Sequence, residues 1–424
     1  MVETAGWHTG GVMGASGRLD ERTVLRLGIG LAAGFMLAAL VAFATPAVSQ
    51  GHWAGIHLSL AGAALVAVGA FLPHFRVTLA GTRPEPAPLR LAGILSLAAG
   101  AALVVSGVLA SLVALTVAGA LAIWIGLAIT AWTAFRPGHA PLARRHPIVS
   151  LAYGAALLEV AAGISLPILL VLGWDPVVAD WTRFKVTHAW LNLFGFVSLT
   201  IVATLVYLYP TILGARIVMR PSLPVLVVGS VAGPPLVALG AALRADALAV
   251  VGGLVALAGA LALVVYASDT WRRRGRWTTD ADWHRAAIFP ASAAMGWYLL
   301  AITATVGGLI ADGVAPVGWR LGAVALPLVA GWVLQVLVGA WTHLLPAVAV
   351  SDPARRAGMR AMLGRASLPR LAAWNGGVLL AWLGLQSGIL PLTLAGVAAF
   401  SVAVVASVAL LARALLSRPT APAG

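Results

Sequence analysis

The sequence predicts an all-α membrane protein of about twelve transmembrane helices, grouped four, four and four in a pseudo-threefold arrangement with both termini inside. Three observations predict it. The 424 residues are 61% hydrophobic and only 9% charged, against roughly 25% charged in a soluble domain, and the mean hydropathy is +0.98. Apolar windows of about 20 residues, the length that crosses a bilayer, recur along the chain. The basic residues fall almost entirely on alternate connections between those windows.

In chain order the windows lie near 26–47 (helix 1), 54–75 (helix 2), 89–110 (helix 3), 113–135 (helix 4), 148–172 (helix 5) and 188–212 (helix 6). They continue near 223–243 (helix 7), 247–267 (helix 8), 286–311 (helix 9), 320–348 (helix 10), 370–387 (helix 11) and 391–412 (helix 12). The run 89–135 is too long for one span and divides at Ala110-Ser111-Leu112. With the N-terminus inside, 23 of the 27 Lys and Arg residues gather on one face, and the other keeps only Arg183, Lys185, Arg244 and Arg320. This is the positive-inside pattern of a protein in the cell (plasma) membrane. Topology therefore accounts for the net charge of +14, and the expected partner is the lipid bilayer, with no nucleic acid. Residues 1–25 and 413–424 are expected to be cytoplasmic tails around a membrane domain over 26–412. A polar N-terminal segment running straight into a full-length span argues against a signal peptide. The chain has no cysteine, which excludes disulfides, thiolate metal sites and iron–sulfur ligation.

The long inner connections follow helices 4, 8 and 10, and two of them divide the chain into approximate repeats 26–135, 148–267 and 286–412. Outside, only 174–187 has length. Helices 2, 6 and 10 share pieces. His57-Leu58-Ser59-Leu60-Ala61-Gly62 matches Trp190-Leu191-Asn192-Leu193-Phe194-Gly195. Val206-Tyr207-Leu208-Tyr209-Pro210 matches Thr342-His343-Leu344-Leu345-Pro346, and Gly195 and Gly331 stand at the same distance before the two prolines. Threefold repetition is unusual among transporters, whose repeats are mostly twofold.

Few residues carry chemistry. His8, His139, His146 and His284 lie in Arg-rich inner segments and read as solvated or headgroup-facing. His74 reads as an interfacial anchor, and His343 as a hydrogen-bonded packing residue. His52, His57 and His188 all fall near the outer face, where they either mark a wet interface or act as ligands, since imidazole binds both haem iron and copper. Two opposed histidines, His57 and His188, suit a haem b; His52, His57 and His188 together suit copper. Asn192, one turn beyond His188, is placed to fix its tautomer. Glu159 is the one acidic residue deep in a span, which marks it either for proton transfer or as a neutral carboxyl bonded to a neighbouring helix. Asn375, Gln335 and Gln386 read as interhelical hydrogen-bond contacts, and most of the 16 tryptophans as an interfacial belt.

Twelve helices in three sets of four, with histidines at the outer ends of helices 2 and 6, resemble subunit I of the haem–copper oxidase superfamily and its distant membrane relatives. The segment from Asp180 to Trp190 is similar to that superfamily's Asp…His-x-His start of a haem-bearing helix, with the first His on His188 and the second on Trp190. The Tyr207-Leu208-Tyr209-Pro210 and His343-Leu344-Leu345-Pro346 exits are similar to the family's aromatic-Pro ending. The chain is similar, too, to the membrane portion joined to multicopper oxidase domains in some bacteria. The resemblance implies a redox or metal-handling protein with haem b, copper or both, and an electron donor or copper protein on the outer face. The sequence departs from the family in helix 10, where Val324 and Leu326 stand at the positions of His188 and Trp190. It also lacks a His pair in helix 7 and any His-Pro-Glu-x-Tyr motif, so a complete oxygen-reducing centre is not expected. The alternative is a cofactor-free scaffold acting as a transporter or accessory protein, although 74–90 lacks the charged Gly-x-x-x-Asp-Arg loop of sugar- and drug-type transporters.

Overall fold

The computed structural model describes residues 20–47, 50, 52–136, 147–218, 220–275, 282–314, 321–350 and 352–416. Every regular element among them is helical. Eleven helices are long and apolar enough to cross a membrane. They are Glu21–Ala44 (helix 1), Trp53–Leu79 (2), Ala87–Leu109 (3), Val113–Phe135 (4), Pro147–Val171 (5) and Trp181–Ile212 (6). The others are Ser222–Leu243 (7), Asp246–Arg272 (8), Trp283–Asp312 (9), Ala323–Val348 (10) and Leu390–Leu416 (12). Helix 11, Ser367–Ser387, has spanning length, but Arg370 and Asn375 dilute its apolar residues and leave it outside that set. The chain is a multi-pass membrane protein. The expected tails fall largely on residues 1–19 and 417–424, and these, with His8, His139 and His146, lie outside the described residues.

Helices 3 and 4 separate where expected, through Ser111 at φ 55°. Two expected loops are instead largely helical. Between 174 and 187 runs a short helix, Asp175–Ala179, and helix 6 begins at Trp181, about two turns before its apolar window. The polar turn is held by Asp180, which pairs with Arg183 at 3.3 Å and with Arg244 of the helix 7–8 connection. The stretch after helix 10 contains the helix Pro353–Gly364. Proline opens its first turn, and the Asp352 side chain accepts from Arg355 N at 2.7 Å. In both places hydropathy marks where the membrane ends, not where the helix ends.

The third and fourth helices of each expected set form a tight antiparallel hairpin. Gly100 faces Gly119 across helices 3 and 4, Gly229 faces Gly259 across 7 and 8, and Gly377 faces Gly396 across 11 and 12. At each crossing a Cβ would fall on the partner's backbone, so small residues are what allow the helices to approach. Helices 2, 6 and 10 share a different feature. Each loosens into π winding, over Leu58–Ala64, Trp190–Ser198 and Pro327–Leu334. Within these segments Gly62, Gly195 and Gly331 lie directly against Phe35, Glu159 and Trp297 of the preceding long helix. Helices 6 and 10 are joined in the interior where Trp332 Nε1 donates to Ser198 Oγ at 3.1 Å. Three tryptophans, Trp190, Trp332 and Trp341, are therefore fully buried and not part of a belt.

Polar contacts sort the helix ends into two groups. At the Arg-rich ends, Arg90 and His74 (3.0 Å) both meet Glu21, Arg76 reaches Ser150, and Asp269 takes Arg220 at 2.9 Å and Arg273 at 2.8 Å. At the opposite ends, Asp180 holds Arg244 and Asp246 accepts from Val314 N at 2.8 Å.

Candidate functional site

His57 stands one turn into helix 2, and His188 about two turns into helix 6 and not at its mouth. The fold brings them together: their ring centroids are 6.3 Å apart and their planes are inclined by only 17°. Each ring spends Nδ1 on a backbone carbonyl. His57 Nδ1 donates to Trp53 O at 2.8 Å, and His188 Nδ1 donates to Gly163 O at 2.8 Å. The second acceptor is available for a local reason. Pro167 stands four residues after Gly163 in helix 5 and has no N–H to offer its carbonyl. Donation from Nδ1 selects the tautomer whose Nε2 carries the lone pair, the form in which imidazole ligates a metal. Both rings are half-buried. Trp53 stacks on His57 at 4.1 Å, and Trp181 inclines towards His188 at 6.4 Å.

The remaining candidates are placed less uniformly. Asn192 Nδ2 lies 3.2 Å from His188 Nδ1 but gives its shorter hydrogen bond, 2.7 Å, to the His188 carbonyl. Gly163, which the sequence reading missed, thus sets the tautomer in place of Asn192. His52 precedes the first turn of helix 2, is exposed, and leans on Phe43 with ring centroids 6.1 Å apart. Among the described residues no group of three His, Asp or Glu side chains assembles to hold a metal ion, so the copper cluster of His52, His57 and His188 is not formed.

Glu159 sits one turn from Gly163 on helix 5. It is 7% exposed, its carboxylate fills the space over Gly195, and neither oxygen has a hydrogen-bond partner among the described residues. The relationship is reciprocal, because the Asn192 amide fills the space over Gly163. Helices 5 and 6 therefore each seat a polar side chain on the other's glycine. Elsewhere, Asn375 accepts from Trp297 Nε1 at 2.7 Å as an interhelical contact, whereas buried Gln335 has no partner among the described residues and Gln386 is exposed. His343 packs against Trp283, 5.6 Å between centroids, without a hydrogen bond at Nδ1. Val324 of helix 10 borders an outer cavity of about 290 Å³ that also touches Val186, Thr305 and Asp312.

An all-helical, multi-pass membrane fold with two apposed histidines in its interior defines the class. Neither a protein-family model nor a curated protein sequence matches the chain. A solved structure does: a cryo-EM structure of a haem–copper terminal oxidase dimer superposes on 95% of this chain and 85% of that chain, with a TM-score of 0.65 at 10% identity. At that identity the likeness establishes the fold alone, which is similar to that of the matched haem–copper terminal oxidase chain.

Proposed function

We propose that this chain is a membrane redox protein that holds one low-spin haem between His57 and His188 and has no complete oxygen-reducing centre. The observation that carries the reading is the spacing of the two rings. Two metal–imidazole bonds of about 2 Å, with about 1 Å more from each ligating nitrogen to its ring centre, separate a pair of axial imidazoles by about 6 Å. The two centroids are 6.3 Å apart, and Nδ1 of each ring is already committed to a carbonyl. A haem bound there supplies a one-electron couple. The protein's own part is to orient both imidazoles, keep Nε2 unprotonated and shield the site with Trp53 and Trp181. Helix 10 offers Val324 and Leu326 where the family's repeat would place ligands, which argues against a second metal centre.

The recurrence of the glycine hairpins and of the π-segment glycines supports the 4+4+4 grouping over 26–135, 148–267 and 286–412. Clustering of arginines at one set of helix ends supports placing both termini inside, in the plasma membrane. The two histidines then lie towards the outer face, where an electron donor or copper protein would dock. The direct test is haem content per chain after purification and reconstitution. Wild type binds one haem; His57→Ala and His188→Ala each lose it while remaining folded. Wild type without haem, or retention of haem in either variant, contradicts the proposal.

A further inference from the structure

Arg76 carries a full positive charge to a place where the fold already gathers partial positive charge. It stands near the Arg-rich end of helix 2, is 5% exposed, and donates from Nη1 to Ser150 Oγ in the first turn of helix 5. Helix 5 begins at Pro147. The opening turn of a helix holds the positive end of its dipole, about half a charge, and N–H groups outside the helical ladder. Arg76 Cζ also lies over the Phe135 ring at the end of helix 4, 5.1 Å from its centroid. Of the five guanidinium N–H groups, only one has a hydrogen-bond partner among the described residues, and the buried Nε has none.

No carboxylate among the described residues pairs with this charge. Asp20 caps its own helix by accepting from Thr23 N at 2.8 Å, Glu21 is held by His74 and Arg90, and Glu85 by Arg136 at 3.3 Å. The segment 137–146 that leads into helix 5 contains no Asp or Glu and adds two arginines. Arg90 gives the contrast: an equally buried guanidinium at the same ends, it meets both Glu21 and the Ala70 carbonyl. A cation withdrawn from water beside a second positive centre is costly unless a counter-charge meets it. We propose that Arg76 and the first turn of helix 5 form a binding site for a phosphate-type oxyanion at the Arg-rich face of the membrane. The planar guanidinium suits two phosphate oxygens, and the N–H groups of the opening helical turn suit a third. Trp132 and Leu151, exposed on helices 4 and 5 beside the site, offer apolar surface to the acyl chains of a phospholipid. This holds whatever the two histidines bind, so its failure and that of the haem reading are separable.

The test is titration of the delipidated full chain in detergent with phosphatidylglycerol and, separately, with inorganic phosphate at constant ionic strength. Thermal unfolding reads both probes, and native mass spectrometry counts the lipid bound per chain. Wild type takes up one probe molecule per chain saturably and unfolds at a higher temperature when it does. Arg76→Gln weakens that binding about tenfold or more, as loss of a charge-assisted hydrogen bond does. Arg136→Gln, which removes an exposed arginine at the same end, leaves it unchanged. Arg76→Lys, which keeps the charge and loses the fork, weakens it less and carries the test if Arg76→Gln does not fold. An Arg76-dependent response to the lipid assigns the site to a headgroup, and one to phosphate alone assigns it to a free anion. No saturable binding of either probe, binding unchanged in every Arg76 variant that folds, or equal loss in Arg136→Gln overturns the proposal.

Discussion

The carboxylate of Glu159 occupies the space above Gly195 that any side chain at position 195 would fill. The pair is one of three equivalent crossings, with Phe35 over Gly62 and Trp297 over Gly331, and it alone places a titratable group in the interior. Gly195→Ala drives a methyl into that carboxylate and is expected to destabilise the fold by about 1–3 kcal/mol, the usual cost of overpacking. Thermal unfolding in detergent measures it. Glu159→Ala should relieve the clash, so the double variant is more stable than the sum of the single effects predicts; strict additivity would show that the two residues do not press on one another.

The hairpin crossings make a sharper contrast. Gly229→Val sets a branched side chain against the Gly259 backbone, whereas the Cβ of Gly30 would meet nothing within 4 Å. Gly229→Val should lower the Tm substantially or abolish accumulation in the membrane, and Gly30→Val should leave both near wild type. Equal tolerance at the two positions would contradict the close approach of helices 7 and 8.

Asp180 ties the first turn of helix 6 to Arg244, and the Arg244 hydrogen bond holds its carboxyl below the ordinary value of 3.8. A depressed carboxyl stabilises the fold above its unfolded value and loses that contribution as pH falls through the folded one. The group is partly exposed, so screening keeps the effect small. Asp180→Asn should lower the Tm slightly near neutral pH, and the difference should vanish in acid below the folded value. A pH-independent difference would assign the effect to packing.

The bond from His188 to Gly163 depends on Pro167. Pro167→Ala returns an N–H to that carbonyl, and the helix then competes with His188 Nδ1. A weaker Nδ1 bond makes the imidazole a poorer donor to iron, which favours the reduced state. The variant should bind haem with a higher midpoint potential than wild type, as read by optical redox titration; an unchanged potential would remove Gly163 from the tuning of the ligand.

Much of this fold is legible in the sequence because a membrane span is a composition signal. The division at Ala110-Ser111-Leu112 was readable, and Gly62, Gly195 and Gly331, singled out in helices 2, 6 and 10, each fall in a π-wound segment. Helix 6 starts early because the Asp180 cluster stabilises a polar turn that hydropathy scores as loop. The candidate ligands His57 and His188 were visible as lone imidazoles at similar depth. Their geometry was not, since it depends on how two π-wound helices cross. Gly163 was missed although its signal was present: a glycine four residues ahead of Pro167 has a carbonyl that its own helix cannot satisfy. The seat of Glu159 on Gly195 is a tertiary contact that no local pattern encodes.

The central claim is that His57 and His188 hold one haem axially with nearly parallel rings. Electron paramagnetic resonance of the oxidised, haem-loaded full chain tests it most directly, because the spectrum of low-spin ferric haem depends on both axial ligands and the angle between their planes. With ring planes 17° apart, the account predicts one low-spin species of rhombic, parallel bis-imidazole type, lost in both His57→Ala and His188→Ala. A high-spin spectrum, a strongly anisotropic signal of perpendicular imidazoles, or a signal that survives either substitution would contradict it.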